Sequence, residues 1–407
     1  MATQIQKTKK RNIPMGTLSV GPYAKKLILK TLDKNRLSHG ELSTKFENQF
    51  AKLHNVRHAI FTASGTCALQ MALHALKRIH KWQDQDEVLV PAITFIATPN
   101  IVLHNNLKPV FVDVLPDTYN IDPSKIEEKI TKRTKAIIPV HMYGLPADMA
   151  EIQKIAKKHC LKIIEDSCEA VMAKYKGKMV GSMGDLGCFS TYVVHVITTG
   201  VGGIVTTNNP EYAVKVKSLM NHGRDSIYLT IDDDDDLAKK TDKEAFKMVN
   251  RRFSFVDVGY SYRLTEMEAA LGLEQLKNIQ KIIKKRQLNA NYLIEGLREF
   301  SDLIQLPTIP RDRNHVFLGF PIVIKDGKIS RDKLIMFLEN NGIETRYMMP
   351  LLNQPIYKEI FGKDIEDHYP VAKNINNNGF YIGCFPELKR GDLDYIISVF
   401  ERAFKTL

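Results

Sequence analysis

The sequence is poor in cysteine and contains no long apolar run. Its 407 residues include five cysteines but no CxxC pair, so neither a zinc finger nor a disulfide framework is expected. No apolar stretch approaches the roughly 20 residues that a membrane-spanning helix needs. The first residues, MATQIQKTKKRN, are polar and basic and lack the apolar centre of a secretory signal, which predicts a cytoplasmic location.

The chain is strongly basic. Its 58 Lys and Arg residues exceed its 46 Asp and Glu residues, giving a net charge of +12. Such a charge raises the question of a nucleic-acid partner. The basic residues, however, are scattered over predicted helices and are not interleaved with aromatic residues in a stripe. We therefore expect neither a nucleic-acid partner nor a membrane partner.

Short apolar runs alternate with helical patterns through the first two thirds of the chain. Most runs are continuous and rich in β-branched or aromatic residues, as in strands that are buried on both faces. Helices are predicted between most of them, for example over 64–77 and 147–159. This alternation predicts an α/β fold with a mostly parallel sheet. The predicted strands are 59–63, 87–90, 109–114, 136–140, 162–165, 187–191 and 203–206.

Two capping boxes predict helix starts. One pairs Thr44 with Glu47, and the other pairs Thr265 with Glu268. The second opens a long helix with one apolar stripe. The stripe consists of Leu273, Leu276, Ile279 and Ile283.

The pattern changes after this helix. Strands over 315–324 and 342–346 and helices over 331–340 and 393–404 predict a small α+β unit. We place the boundary near 285, which gives a large domain over 1–285, with an N-terminal arm over 1–35, and a small C-terminal domain over 286–407. The five consecutive aspartates at 232–236 are interpreted as a solvated insertion. They lack the glycine turn and distal glutamate of an EF-hand, so no metal site is predicted.

Small and polar residues follow the predicted strands at the edge where ligands bind in open α/β folds. Ser64, Gly65 and Thr66 precede a helix, where backbone N–H groups and the helix dipole can hold an anion, although such turns also serve as plain caps. Asp166 ends a strand and could hold a protonated ring nitrogen or cap a helix. Phe95 could stack on a planar cofactor or pack in the core.

A further stretch, 187–203, combines Ser190 near a strand end with glycines at 200, 202 and 203, which make the backbone accessible. His195 stands in its apolar middle, where a lone histidine is more often a core residue than a catalyst. Taken singly, these patterns leave both interpretations open.

The order and spacing of these stretches resemble the DegT/StrS family of nucleotide-sugar aminotransferases. These enzymes use pyridoxal 5'-phosphate (PLP) on the fold-type-I scaffold, and the resemblance covers nearly the whole chain. It implies a mostly parallel seven-stranded sheet, a smaller C-terminal α+β domain and a homodimer. The matching segments are LSHG from Leu37, SGTCAL from Ser64, residues 91–100, PVHMYG from Pro139, Glu165-Asp166, residues 184–190 and GYSYRLTEMEAALG from Gly259.

The resemblance implies where the cofactor phosphate would bind. Gly65 and Thr66 would hold it, with help from the Ser190 hydroxyl, and Ser64 could add a hydroxyl donor.

The rest of the implied site surrounds the cofactor ring. Phe95 would stack on it, Asp166 would keep its pyridinium nitrogen protonated, and Glu169 would contact its hydroxyl. The family's Gly-Tyr-Asn-Tyr-Arg segment reaches the phosphate of the neighbouring subunit. Here that segment has Ser261 in place of the Asn, and it keeps Arg263.

The chief departure from the family lies at His195, where the aminotransferases carry the lysine that forms a Schiff base with the cofactor. Imidazole has no primary amine, but it can act as a general base. The 3-dehydratases of nucleotide-linked 4-keto-6-deoxy sugars, such as the GDP-4-keto-6-deoxymannose enzyme, make the same exchange. The resemblance to this branch implies non-covalently bound pyridoxamine 5'-phosphate or PLP, with His195 as the catalytic residue.

The same branch implies the partners. We expect a nucleotide-diphosphate sugar from deoxysugar biosynthesis for surface polysaccharides, attracted by the basic charge, and glutamate as amino donor. The interval 221–259 contains no cysteine, so no iron–sulfur cluster is expected. An aminotransferase and a non-catalytic sugar-binding homologue are the alternatives. Val201 and Ser261, which replace a Glu and an Asn of the family, favour the last of these. Lys176 and Lys178 lie in a turn-like stretch and do not replace the missing lysine convincingly.

Overall fold

The computed structural model describes residues 11–35, 37–225, 241–251, 253–325, 327 and 329–407. The aspartate run at 232–236 and the first ten residues of the predicted arm lie outside the described residues. The helices are α1 Pro22–Asp33, α2 Glu41–His54, α3 Gly65–Ile79, α4 Ala97–His104, α5 Met149–Lys158, α6 Pro210–Met220, α7 Asp242–Arg251, α8 Glu266–Leu297, α9 Arg331–Asn340, α10 Pro355–Phe361, α11 Pro370–Asn378 and α12 Arg390–Thr406. The strands are β1 His58–Thr62, β2 Glu87–Pro91, β3 Lys108–Val112, β4 Thr134–Ile137, β5 Lys162–Asp166, β6 Lys174–Tyr175, β7 Lys178–Met179, β8 Leu186–Ser190, β9 Gly203–Thr207, β10 Ile304–Gln305, β11 Arg313–Asn314, β12 Gly319–Ile324, β13 Thr345–Tyr347 and β14 Gly379–Gly383.

The predicted seven-stranded sheet is confirmed, with the order β1-β9-β8-β5-β4-β2-β3. It is mostly parallel, and β9 runs antiparallel to both of its neighbours. Alternate side chains of β1 enter different apolar cores, Ile60 on one face and Ala59 and Phe61 on the other. Because helices cover both faces, these strands read as continuous apolar runs in the sequence.

The predicted capping box of Thr44 with Glu47 is wrong. Helix α2 already begins at Glu41, and the Thr44 hydroxyl donates to the Gly40 carbonyl at 3.0 Å from inside the helix. The carboxylate of Glu266 caps this helix instead, from a position more than two hundred residues away. It accepts the backbone N–H groups of Gly40 at 2.9 Å, Leu42 at 2.7 Å and Ser43 at 2.9 Å. A distant acceptor therefore does what a local side chain was expected to do.

The box of Thr265 with Glu268 is confirmed, and it opens α8. The predicted apolar stripe of α8 is buried in the core on one face of the large sheet. Further along the helix, Ala290, Leu293 and Leu297 belong to the core of the small sheet. The helix thus passes from one core to the other between residues 283 and 290. This passage brackets position 285, although the domain boundary itself stays a prediction.

The C-terminal part contains a four-stranded antiparallel sheet in the order β10-β12-β14-β13, accompanied by α9 and α12. The predicted helix at 331–340 coincides with α9. The predicted strand at 315–324 begins only at Gly319, because the backbone before it pairs with a turn of the large sheet. Val316 N–H donates to the Gly144 carbonyl and Leu318 N–H to the Tyr143 carbonyl. None of the described helices is both long enough and apolar enough to cross a membrane.

Candidate active site

The turn between β1 and α3 packs directly against the end of β8. Ser64 caps α3, and its hydroxyl accepts the Cys67 N–H at 3.1 Å. A Cβ atom on Gly65 would lie 2.8 Å from the Cβ of Ser190 and 2.8 Å from the Sγ of Cys168. Only glycine therefore fits here without movement. The structure brings the Ser190 hydroxyl to the start of a helix whose first N–H groups have no intrahelical partner. The exposed Thr66 follows in the same turn.

Asp166 ends β5 on the same edge of the sheet. Its buried carboxylate accepts the Thr98 hydroxyl at 2.8 Å and the Cys168 N–H at 3.2 Å. Burial raises the pKa of Asp166 above its ordinary value, against the opposing effect of these hydrogen bonds. A protonated ring nitrogen placed here would offset the cost of burying the charge.

Glu169 lies one turn further along the chain and is 7% exposed. Its carboxyl accepts the Tyr143 N–H at 2.5 Å. Burial, followed by the nearby charge of Asp166, raises the pKa of Glu169 to about 8. Glu169 is therefore a neutral acid at physiological pH, which can donate a hydrogen bond.

His195 follows β8 and is half-buried. Burial lowers its pKa to about 4, although interactions with the backbone of Ser190 and Cys168 act in the opposite direction. Its Nδ1 atom has no hydrogen-bond partner among the described residues. Ser190 and Cys168 are also the residues that face Gly65, so the turn at Gly65 and the imidazole of His195 lie on either side of the same two residues. The imidazole is uncharged at neutral pH and can accept a proton.

Three other predicted residues lie at the surface. Phe95, just after β2, is 59% exposed. Ser261 and Arg263 are exposed, and Arg263 donates to the Ser261 hydroxyl at 3.2 Å. The segment is anchored in its own chain, because the Tyr262 carbonyl accepts the Ala63 N–H at 2.9 Å beside the turn at Gly65. A contact of Ser261 or Arg263 with a second subunit stays a prediction.

A buried hydrogen-bond network lies behind this edge of the sheet, and the sequence analysis assigned no role to its residues. Buried His141 accepts the Ala147 N–H on Nδ1, so its Nε2 donates to Glu165 at 3.1 Å. Glu165 also accepts the backbone N–H groups of Gly181, Met183 and Gly184. His141 and Glu165 lie in two segments that match the family, PVHMYG and Glu165-Asp166. The backbone partners of Glu165 at 181–184, however, could not be known without the fold.

A cavity of about 360 Å³ lies beside His195, between the two parts of the chain. Three basic residues of α8 contribute to its lining, and the sequence analysis did not identify them because they belong to an ordinary amphipathic helix. They are Lys281, Lys285 and Arg286.

A family model described as the DegT/DnrJ/EryC1/StrS aminotransferase family matches residues 21–401. The chain belongs to this PLP-dependent family. GDP-perosamine synthase from Caulobacter vibrioides is 34% identical over 92% of this chain and 94% of that protein. The dTDP-4-dehydro-2,6-dideoxy-D-glucose 3-dehydratase of Saccharopolyspora spinosa is 33% identical over 89% of this chain and 80% of that protein. The solved structure of Escherichia coli GDP-4-keto-6-deoxy-D-mannose-3-dehydratase with bound hydrated PLP superposes with a TM-score of 0.86, at 27% identity over 95% of this chain and 99% of that chain. The predicted family and the predicted fold-type-I scaffold are confirmed.

The residues present fit such a cofactor. The Gly65 turn offers a cradle that a Cβ atom would fill, and Asp166 and Glu169 offer an acceptor and a donor at the same sheet edge. The His195 imidazole lies beside them, against the backbone of Ser190 and Cys168. Lys176 and Lys178 are exposed on the β6–β7 hairpin, so neither replaces the lysine that is missing at position 195. Among the described residues, no three His, Cys, Asp or Glu side chains gather where they could hold a metal ion.

Proposed function

We propose that the chain is a nucleotide-sugar 3-dehydratase that uses pyridoxamine 5'-phosphate or PLP, held without a covalent bond, on a 4-keto-6-deoxy sugar. The observation that carries this proposal is His195. An uncharged imidazole stands where the family's aminotransferases have a primary amine. It can move a proton, but it cannot hold the cofactor covalently.

Each residue of the site has a defined task in this proposal. The chemistry that the cofactor supplies when bound is an electron sink next to the reacting sugar carbon. The α3 turn at Gly65 and the Ser190 hydroxyl bind its phosphate, and Asp166 holds a proton on its ring nitrogen. Glu169 donates to its ring hydroxyl. His195 takes a proton on its imidazole while the backbone of Ser190 and Cys168 keeps the ring in place.

The substrate class follows the relatives' names. Two of them are named as 3-dehydratases, one acting on a dTDP sugar and one on a GDP sugar. We propose a nucleotide-diphosphate 4-keto-6-deoxy sugar for this chain. The Lys281 and Lys285 side chains at the cavity beside His195 support an anionic substrate.

The second candidate is a sugar aminotransferase, and a relative named as a GDP-perosamine synthase supports it. A non-catalytic sugar-binding homologue is the third. It draws support from Val201, which is 50% exposed where the family has a glutamate, and from Ser261.

One assay separates these candidates. The purified chain is supplied with pyridoxamine 5'-phosphate and a GDP-, CDP- or dTDP-linked 4-keto-6-deoxy sugar, and the mass of the sugar is followed. The proposal expects the C3 hydroxyl to be replaced by hydrogen, so that the sugar loses one oxygen atom. The amine form of the cofactor supplies the two electrons, becomes the aldehyde form and releases its nitrogen as ammonia. His195→Asn should leave the sugar unchanged, and gain of an amino group with the C3 oxygen kept would support the aminotransferase. No change in any sugar, together with no cofactor binding, would support the sugar-binding homologue.

Restoring the lysine provides the complementary test. His195→Lys should become covalently linked to PLP after borohydride reduction, whereas the wild-type chain should not. If wild-type protein is fixed equally well, another lysine serves the site and the proposal fails.

We further propose that the active unit is a homodimer and that glutamate is the amino donor. A run of exposed apolar side chains precedes the Ser261–Arg263 segment and supports a covered surface there. These side chains are Phe253, Phe255, Val256 and Val258. Mixing inactive His195→Asn with inactive Arg263→Ala chains should restore part of the activity if each site uses both subunits.

Glutamate should return spent cofactor to its amine form, and iron analysis of the purified protein tests the predicted absence of an iron–sulfur cluster.

A further inference from the structure

Arg286 joins the two parts of the chain at the back of His195. It lies in the second half of α8 and is 3% exposed. Its Nη1 donates to the carbonyls of Phe317 at 3.0 Å, Leu318 at 3.1 Å and Cys384 at 2.7 Å. Its Nη2 donates to the carbonyl of His195 at 3.3 Å. One guanidinium thus ties the backbone of the candidate base to three carbonyls around the small sheet.

The charge of Arg286 is not balanced by a carboxylate within ion-pair distance among the described residues. Its Nε also has no hydrogen-bond partner there. Burying a cation against neutral carbonyls is costly, and neutral donors could satisfy the same acceptors. A cation at this place therefore suggests that its charge has a use beyond joining backbone segments.

We propose that Arg286 is a positioning residue for His195, which fixes the backbone of the base against the small sheet and places a buried positive charge next to it. This inference rests on the proposed role of His195 as the base. It assigns Arg286 no contact with the substrate or cofactor.

The charged groups around His195 support an electrostatic effect of Arg286 on the imidazole. After burial, the positive charge of Arg286 is the charged group that lowers the pKa of His195. Other charged groups line the same cavity from α8 and from the segment before α12. Two of them are carboxylates already engaged by the N-terminal segment, Glu274 by Gly21 N–H at 2.8 Å and Glu387 by the Thr17 hydroxyl at 3.1 Å. The remaining charged groups of the lining are Lys281 and Lys285, which are exposed.

Two substitutions separate charge from geometry. Arg286→Gln removes the charge and keeps an amide donor, whereas Arg286→Lys keeps the charge but cannot present two nitrogens to carbonyls on both sides. The matched control is Arg313→Gln, since Arg313 also joins the two parts of the chain, through Pro146 and Asp148, without touching His195. The pKa of His195 is read by NMR titration of the full chain, with its resonance assigned by its loss in His195→Asn.

We expect Arg286→Gln to raise the pKa of His195 by about one unit. Arg286→Lys should leave that pKa within a few tenths of the wild-type value but lower kcat about tenfold at unchanged KM. Arg313→Gln should change neither quantity. An unmoved pKa in folded Arg286→Gln would overturn the electrostatic role, and wild-type kcat in Arg286→Lys would overturn the positioning role. If Arg286→Gln does not fold, titration of His195 in Arg286→Met, which also removes the charge, decides the electrostatic role. The kinetics of Arg286→Lys decide the positioning role.

The titration needs no substrate, so it reports on Arg286 even in a protein without dehydratase activity. If the wild-type chain does not remove the C3 oxygen while Arg286→Gln shows the expected pKa shift, the proposed reaction would be refuted and the electrostatic coupling would stand.

Discussion

The buried acid Glu169 allows a quantitative test of the site that needs neither substrate nor cofactor. Its carboxyl is 7% exposed, and burial raises its pKa to about 8. In the unfolded chain a glutamate titrates near about 4.3. Between these two values the folded protein binds one proton that the unfolded chain has released. Glu169→Gln keeps the shape of the neutral acid but removes the titration.

The raised pKa of Glu169 makes the free energy of unfolding depend on pH. The raised pKa contributes stability that is fully present below about pH 4.3 and is lost as the pH rises through about 8. Within this window the free energy of unfolding of the wild-type chain falls by about 1.4 kcal/mol per pH unit from this group. The Gln variant lacks that loss. Its stability relative to wild type should therefore grow by about 2.7 kcal/mol over two pH units and become constant above about pH 8.

The measurement is urea unfolding of both proteins at about pH 5.5, 6.5, 7.5 and 8.5, with the same buffer ions throughout. Glu359→Gln, on the exposed face of α10, is the matched control for removing one carboxylate. Parallel pH curves for wild type and Glu169→Gln would show that Glu169 is ionised in the folded protein at neutral pH. The proposed donation to a ring hydroxyl would then be refuted. In a turnover assay, the same reasoning expects an alkaline fall in wild-type activity near pH 8 that Glu169→Gln lacks.

Three further substitutions test other parts of the structure. Gly65→Ala should weaken cofactor binding at least about tenfold, measured by absorbance titration, because its Cβ would strike Ser190 and Cys168; Gly391→Ala, at an open position, is the control. Asp166→Asn should also bind the cofactor weakly and should lose the absorbance of the ring-protonated form, since an amide cannot pair with a pyridinium nitrogen. Glu266→Gln should lower the free energy of unfolding by about 2 kcal/mol in urea titration, because it leaves N–H groups at the start of α2 poorly satisfied.

The large sheet was predictable because its strands carry their own signal. Each is a short continuous apolar run rich in β-branched or aromatic residues, as expected of a strand that is buried on both faces. The start of α2 was not predictable, because its cap is Glu266, which lies more than two hundred residues away in the sequence. The strand predicted from 315 failed for the same reason at its beginning, where Val316 pairs with the turn at Gly144. Local patterns identify elements, and long-range hydrogen bonds set their ends.

The residues of the candidate site also fall into two groups, those that a pattern in the sequence identifies and those that only the fold brings to the site. Gly65, Asp166, Glu169 and His195 were found from the order of motifs along the chain, and the structure brings them to one edge of the sheet. Thr98, which donates to Asp166, carried no signal of its own in the sequence. The same holds for the contacts of Arg286, which join residues 31 to 98 positions away.

Residue 195 itself, and not its surroundings, separates the two reactions considered for this chain. Burial and the charge of Arg286 lower the pKa of His195, and both would lower the pKa of a lysine at this position as well. A lysine placed there would therefore be partly unprotonated near neutral pH and ready to attack a carbonyl carbon. Burial and the charge of Arg286 would thus favour an amine nucleophile as well as an imidazole base, so we expect His195→Lys to gain a covalent cofactor without any second substitution. If covalent attachment required further changes at Val201 or Ser261, the pocket would have diverged around the histidine, and the exchange at 195 alone would not explain the difference in chemistry.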